Sequence, residues 1–268
     1  MRVKIGRFDY TECWDGVLYK NLSEYPTPTA WELQSVFDFI AYEKANGRTC
    51  EIEAEKPIVA AIDAYQSVYE SGKRVPCPRR LTECKACPTY KGCMTDFVVH
   101  TTSCENAEKV FACGSILSSV RARKKSAEEL ANEARNAAKD PPDYFEYILF
   151  NWGNCQAGDR LVMERALGRF PKEEDLSIGF SPGVRFYFRY EDLAKHSSAC
   201  FDGVLPLRIK DELKLEDHLF AAIIPAEQRK KIESYIPEKL KSRVHYLMND
   251  CRDIWSWSEK VYEYIKTI

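Results

Sequence analysis

The chain has 268 residues, a formal net charge of −2, 30% charged residues and 45% hydrophobic residues. This composition is typical of a globular protein and excludes wholesale disorder, a collagen-like repeat and a coiled-coil rod. The near-neutral charge gives no global field that would favour nucleic acid, and the longest apolar runs are too short to span a bilayer. Because no apolar signal region opens the sequence, we expect a cytoplasmic protein without a membrane partner.

Residues 1–76 predict an N-terminal α+β extension that is mainly helical. Thr29 and Glu32 have the spacing of a capping box, and apolar residues follow them at helical intervals. A second apolar stripe at helical spacing begins at Ile58, and residues 49–54 between the two stripes alternate like a short strand.

Four cysteines in residues 77–96 form the clearest candidate metal site. Cys77, Cys84, Cys87 and Cys93 follow a C-x6-C-x2-C-x5-C spacing, and basic residues lie between them. A disulfide framework is disfavoured, because the cytosol keeps thiols reduced and the eleven cysteines are an odd number. Short loops of this kind can place four thiolates around one ion, so we expect structural zinc. An iron–sulfur cluster uses the same ligands, and unpaired thiols are the alternative.

Residues 97–225 predict a core of strands and helices. Residues 97–102 have the pattern of a buried strand, Ser103 can cap the following helix, and Gly114 can end it. Ser126 opens a polar helix that we expect to continue through Ala138, before two prolines stop it. Further strands are predicted at 144–150, 184–190, 202–209 and 220–224.

The tail, residues 226–268, is predicted to be mostly helical, with one apolar stripe that begins at Ile254 and serves packing. Taken together, these segments predict the α+β class.

His100 is the most suggestive candidate for chemistry. It lies near the end of a strand, and two threonines and a serine follow before a helix begins. Hydroxyl groups beside a helix N-terminus suit ribose and phosphate groups. The alternative is a core histidine bonded to backbone. The P-loop, the dinucleotide-binding glycine pattern and the serine-hydrolase elbow are absent from the sequence.

Residues 98–117 resemble the opening of the ADP-ribosyltransferase fold, in which a strand ending in His-x-Thr precedes a helix that a glycine ends. Residues 143–150, 183–193 and 202–225 are similar to later strands of its DarT-type toxin branch, and RNA 2′-phosphotransferases are a close variant on the same fold. The resemblance covers residues 97–225. It implies a split mixed or antiparallel sheet with flanking helices, and NAD as a substrate.

The resemblance also implies the residues that bind NAD. His100 would hydrogen-bond the nicotinamide-side ribose, with Thr101 or Thr102 beside it. Arg121 or Arg123 would contact the phosphates, because a guanidinium pairs phosphate oxygens in a bidentate way.

The catalytic carboxylate is the point at which this sequence departs from the family. An acidic residue is needed because positive charge develops at the anomeric carbon as nicotinamide leaves. The matching position holds Asp202 where the family has glutamate, and Glu212 and Glu216 are nearby alternatives.

Two functional hypotheses of different classes follow. The first is an NAD-dependent ADP-ribosyltransferase that modifies a nucleic-acid or protein acceptor, with His100, Asp202 and Glu216 as its catalytic candidates. The second is a non-enzymatic, zinc-containing module that binds nucleic acid or a nucleotide. A structural subunit is a third possibility.

Overall fold

The computed structural model describes residues 1–8, 11–75, 96–134, 136, 138–169, 171–177 and 179–268. Cys77, Cys84, Cys87 and Cys93 lie outside the described residues, and so does the metal site predicted on them. The protein belongs to the α+β class, as the sequence predicts. No helix within the described ranges is long and apolar enough to cross a membrane.

The N-terminal unit is a four-stranded sheet with two helices. Its elements are β1 (Arg2–Gly6), β2 (Glu12–Trp14), β3 (Val17–Asn21), α1 (Ala30–Ala45), β4 (Glu51–Glu53) and α2 (Lys56–Glu70). The strand order is β2-β3-β1-β4, and β1 runs parallel to both of its neighbours. Side chains from the sheet and both helices, including Leu18, Phe39 and Ile58, bury a separate small core.

The first helix begins where the sequence predicts. The Thr29 hydroxyl accepts a hydrogen bond from the Glu32 amide, and the Glu32 carboxylate accepts one from the Thr29 amide. This reciprocal capping satisfies two amide groups that the first turn of a helix otherwise leaves unpaired.

The rest of the chain builds the larger unit. Its elements are β5 (Phe97–Thr102), α3 (Cys104–Cys113), β6 (Ser115–Leu117), α4 (Ser119–Arg123), α5 (Ala127–Ala131), β7 (Tyr147–Trp152), α6 (Ala157–Leu167), β8 (Val184–Arg189), α7 (Tyr190–Leu193), β9 (Ala199–Cys200), β10 (Leu207–Lys210), β11 (Glu212–Lys214), α8 (Leu215–His218), β12 (Ala221–Pro225), α9 (Arg229–Ile232), β13 (Val244–Leu247) and α10 (Ile254–Ile265).

Within the described residues, this unit contains a seven-stranded sheet in the order β13-β12-β8-β5-β7-β10-β9, and β6 pairs with β11 separately. All of its pairs are antiparallel except β12 with β13. Phe111 of α3 packs with Phe186 in one core cluster. Trp257 of α10 packs in a second cluster with Tyr187. Neighbouring residues of a strand point to opposite faces of the sheet. The cluster that contains Phe186 therefore lies on one face, and the cluster that contains Tyr187 lies on the other.

Several boundaries differ from the sequence prediction. The helix expected through Ala138 ends at Ala131, because the Asn132 side chain bonds the Glu128 carbonyl at the helix end. The strand expected from residue 144 begins at Tyr147, because a 3₁₀ helix (Pro142–Glu146) follows the proline pair. The mostly helical tail also contains β13, which the sequence analysis missed.

The two units are joined by contacts of α1. Arg48 at the C-terminal side of α1 forms ion pairs with Glu43 and with Asp143 of the larger unit. The loop after β9 approaches α1 so closely that a Cβ atom on Gly203 would lie 2.7 Å from the Phe39 amide nitrogen. Only a residue without a side chain fits this contact, and Gly203 also has a φ of +76°.

Candidate functional site

The large sheet opens beside His100. Strand β5 is registered with β8 along six residue pairs, from Phe97 to Thr102. It is registered with β7 at only two, Val98 with Trp152 and Val99 with Asn151. Beyond these pairs β7 continues alongside β10 while β5 stays with β8. His100 is therefore the first β5 residue past the point at which the two strands separate.

The His100 ring bridges the start of this opening. Its Nδ1 atom is 3.1 Å from the carbonyl oxygen of Leu149, on the opposite strand. Since a carbonyl oxygen only accepts hydrogen bonds, Nδ1 carries the proton and Nε2 of the neutral ring is left as an acceptor. Burial lowers the pKa of His100, which favours the neutral form. The side chain nevertheless keeps part of its surface in contact with solvent.

The two threonines after His100 lie on different faces of the sheet, because side chains alternate along a strand. Thr102 shares the face of His100 and is 7% exposed. Thr101 lies on the other face beneath α6, where a Cβ atom on Gly158 would come within 2.5 Å of its hydroxyl oxygen. That oxygen is buried and has no hydrogen-bond partner within the described part of the chain. The glycine lets α6 pack directly on β5.

Among the residues that the structure describes, the guanidinium of Arg165 on α6 has no partner. It lies two turns after Gly158, so the two residues share one side of the helix. In the described ranges its side chain makes no hydrogen bond and no ion pair within 4 Å. Burial lowers the pKa of Arg165, and the nearby positive charge of Arg123 acts in the same direction. The charge of Arg165 in turn helps to lower the pKa of His100. The side chain of Arg165 is exposed to solvent, so a ligand can reach it.

Arg121 and Arg123, the arginines predicted to bind phosphate, lie on α4 and are already in ion pairs. Arg123 is 3.0 Å from Glu133, and Arg121 is 3.5 Å from Glu212. Both side chains are partly exposed, so each pair is in contact with water. Exposed pairs of this kind contribute about 0 to 1 kcal/mol, so breaking one costs little.

Asp202 is fully buried and belongs to a structural ion pair. Its carboxylate pairs with the Arg208 guanidinium, which is also 0% exposed. It accepts further hydrogen bonds from the amides of Val204 (3.0 Å) and Leu205 (2.8 Å). The rings of tyrosines from both units pack against the guanidinium, the closest being Tyr144, whose ring centre is 3.9 Å away. These contacts leave Asp202 no accessible oxygen for a ligand.

Glu216 is exposed on α8 and pairs with Lys239. Among the residues that the structure describes, neither Asp202 nor Glu216 forms a contact with His100. The three predicted catalytic residues thus lie in separate local environments.

Asp140 is a partly exposed acidic residue near the arginines of α6 and β10. It directly precedes Pro141, and its carboxylate lies within electrostatic reach of Arg165 and Arg208. Burial raises the pKa of Asp140.

Two other histidines are close together but are poorly suited to bind metal. The rings of His196 and His218 are 5.4 Å apart. Nδ1 of His196 accepts a hydrogen bond from the Ser198 amide, so Nε2 of the neutral ring carries a proton. No group of three or more His, Cys, Asp or Glu side chains within the described segments is arranged to hold a metal ion.

Comparison with protein-family models, with curated proteins and with solved structures found no match for this chain.

Proposed function

We propose that the protein is an NAD-dependent ADP-ribosyltransferase whose NAD site is the opening between β5 and β7. The acceptor of ADP-ribose is a nucleic acid or a protein. The observation that carries this proposal is the position and tautomer of His100, at the point where β5 and β7 separate. With Nδ1–H bound to Leu149, the Nε2 atom is ready to accept a hydrogen bond from a ribose hydroxyl.

Charge near His100 supports a phosphate-containing ligand. The guanidinium of Arg165, which has no partner in the described part of the chain, lies within electrostatic reach of His100, and Arg123 lies near it with the same charge. A bound phosphate would relieve the repulsion between these two arginines, and a guanidinium fits phosphate oxygens in a bidentate way. Arg165 thus joins Arg121 and Arg123 as a candidate for the diphosphate of NAD.

A second function, nucleotide binding without catalysis, is favoured by the positions of Asp202 and Glu216. Both of these carboxylates are engaged elsewhere, one in a buried ion pair and one at an exposed surface. The same opening would then bind a nucleotide and leave its glycosidic bond intact.

We also propose a structural zinc ion bound by Cys77, Cys84, Cys87 and Cys93. Their spacing and thiolate chemistry support this proposal. The ion would stabilise the segment between the two units and take no part in the chemistry at His100.

Calorimetric titration with NAD tests the binding site. We expect the wild-type chain to bind NAD, and His100→Ala to weaken binding about fivefold, because one hydrogen bond contributes about 1 kcal/mol. Arg165→Ala removes a charge-assisted contact worth about 2 kcal/mol, and we expect a loss of about thirtyfold.

Arg229→Ala is the matched control. This arginine also lies on a helix surface, on α9, where it pairs with Glu233. We expect this variant to bind NAD as the wild type does. Equal affinities for all four proteins would contradict the proposed site, and no binding by the folded wild type would contradict the proposed function.

A further inference from the structure

The segment that leads into β7 is attached to the N-terminal unit at more than one point. Residues 138–146, which we call the approach segment, end in the 3₁₀ helix, and β7 follows directly at Tyr147. The Asp15 amide of the N-terminal unit donates to the Ala138 carbonyl oxygen at 2.7 Å. Further along, the Asp143 carboxylate accepts hydrogen bonds from side chains of the N-terminal unit. The start of β7 is therefore held by the N-terminal unit as well as by its own sheet.

Asp143 anchors the 3₁₀ helix to the N-terminal unit. Arg48 donates to one of its oxygens at 2.6 Å and to the other at 3.4 Å, and the Tyr42 hydroxyl of α1 donates to it as well. Arg48 is itself held by Glu43, to which it donates twice at 2.8 Å, and the Glu43 side chain is 0% exposed. Burial alone would raise the pKa of Asp143, but Arg48 and Tyr42 lower it below its ordinary value. The carboxylate is thus ionised at neutral pH, and its hydrogen bonds are charge-assisted.

Strand β7 in turn carries the backbone group that orients His100. Leu149 of β7 lies opposite Arg208 of β10, and its carbonyl oxygen lies on the other side of the strand, 3.1 Å from Nδ1 of His100. His100 belongs to β5, which is registered with β8 along its whole length. The distance between the Leu149 carbonyl and the His100 ring therefore depends on where β7 lies relative to β5.

We infer that Asp143 is a positioning residue for the opening beside His100, and that the N-terminal unit acts on this site through it. The inference rests on the proposed function. Asp143 fixes the approach segment, the approach segment fixes the start of β7, and β7 carries the Leu149 carbonyl that keeps a proton on Nδ1 of His100. Nε2 is then left to accept a hydrogen bond from a ribose hydroxyl of NAD. The N-terminal unit is thus part of the site and not a separate module.

Asp143→Ala in the full chain tests the inference, with the tautomer of His100 as the first readout. This change removes the contact with the N-terminal unit and leaves the pair of Arg48 with Glu43 in place. Nitrogen NMR distinguishes a ring nitrogen that carries a proton from one that does not. Since the chain has four histidines, a spectrum of His100→Ala identifies the signals of His100. At neutral pH we expect the proton on Nδ1 in the wild type and a mixture of both tautomers in Asp143→Ala.

NAD affinity, measured by calorimetry, is the second readout. We expect Asp143→Ala to bind NAD about 2- to 30-fold more weakly, which is the usual range for a residue that modulates binding without touching the ligand. Tyr42→Phe removes one hydrogen bond to Asp143 and leaves those from Arg48, so it should change both readouts in the same direction and by less. If Asp143→Ala does not fold, Tyr42→Phe decides the test alone.

Asp38→Ala is the matched control. Asp38 also accepts a hydrogen bond from a tyrosine, Tyr69 at 2.8 Å, but this contact joins α1 to α2 inside the N-terminal unit. The control should keep the wild-type tautomer of His100 and the wild-type affinity for NAD.

A purely structural role of Asp143 would lower the melting temperature of Asp143→Ala and leave the His100 tautomer and the NAD affinity unchanged, and that result would overturn the inference. Equal changes of tautomer in Asp143→Ala and Asp38→Ala would overturn it as well. A wild type that does not bind NAD would reject the proposed function itself. The comparison of tautomers would then still decide whether Asp143 positions His100.

Discussion

Replacing Asp202 with alanine removes the carboxylate that neutralises the buried guanidinium of Arg208. Both side chains are 0% exposed, so water cannot screen the charge that remains. The change also leaves the amides of Val204 and Leu205 without the oxygen that accepts their hydrogen bonds. Breaking a buried ion pair by removing one partner costs about 3 to 5 kcal/mol.

We expect the cost for Asp202→Ala to lie near the lower limit of this range. Arg208 still donates to the Tyr42 hydroxyl oxygen at 2.9 Å, and its guanidinium remains packed against the Tyr144 ring. For a chain of this size, a loss of 3 to 5 kcal/mol lowers the melting temperature by roughly 6 to 20 °C. Scanning calorimetry measures this shift directly. In the folded fraction, NAD affinity should stay unchanged.

Two further variants sharpen the test of Asp202. Glu216→Ala removes the exposed pair with Lys239, and its cost should be at most about 1 kcal/mol. The double variant Asp202→Ala, Arg208→Met should be more stable than Asp202→Ala, because no unpaired charge is left buried. A melting temperature unchanged in Asp202→Ala together with loss of NAD binding would refute the structural role that we assign to this residue.

The remaining predictions concern the joint between the units and the cysteine segment. Gly203→Ala should cost about 1 to 3 kcal/mol in urea unfolding, because its Cβ atom would contact the α1 backbone at a positive φ. Gly47→Ala, at a similar φ of +74° with no atom within 4 Å of the added Cβ, is the control. Equal losses of unfolding free energy in the two variants would mean that the positive φ alone, and not the contact with α1, sets the cost. Purified protein should contain about one zinc ion per chain, and chelation should lower the cooperativity of unfolding. Cys84→Ser should lose the ion and Cys113→Ser should keep it. Metal-free protein of full stability would count against the site.

The sequence predicts those elements whose signals are local. Thr29, Ser103 and Ser126 each cap a helix in the structure as their spacing indicates, because an N-cap hydrogen bond depends on residues three positions apart. Gly114 ends α3 in the left-handed conformation for a similar local reason. Strand β5 has the predicted limits, and its apolar side chains are buried in the clusters on the two faces of the sheet.

Features that depend on distant contacts were missed. Strands β1, β2 and β3 are short, and β1 pairs with β4, which follows α1 in the chain. The separation of β5 from β7 depends on the pairing of β7 with β10, which no local pattern at His100 reveals. The unpaired state of Arg165 depends on which of the surrounding acidic groups already have partners. These pairings join residues that are distant in the sequence, so they are defined only in the folded chain.

The two aspartates that lie near Arg208 differ in the partners that their carboxylates have. A buried guanidinium stabilises one carboxylate well, and Asp202 takes that position because two backbone amides also bind its oxygen. Asp140 is a second carboxylate near Arg208, whose charge lowers the pKa of Asp140 by less than burial raises it. Burial therefore dominates and raises its pKa. The family resemblance favoured Asp202 as the acidic residue of the reaction, but in the structure its carboxylate pairs with Arg208.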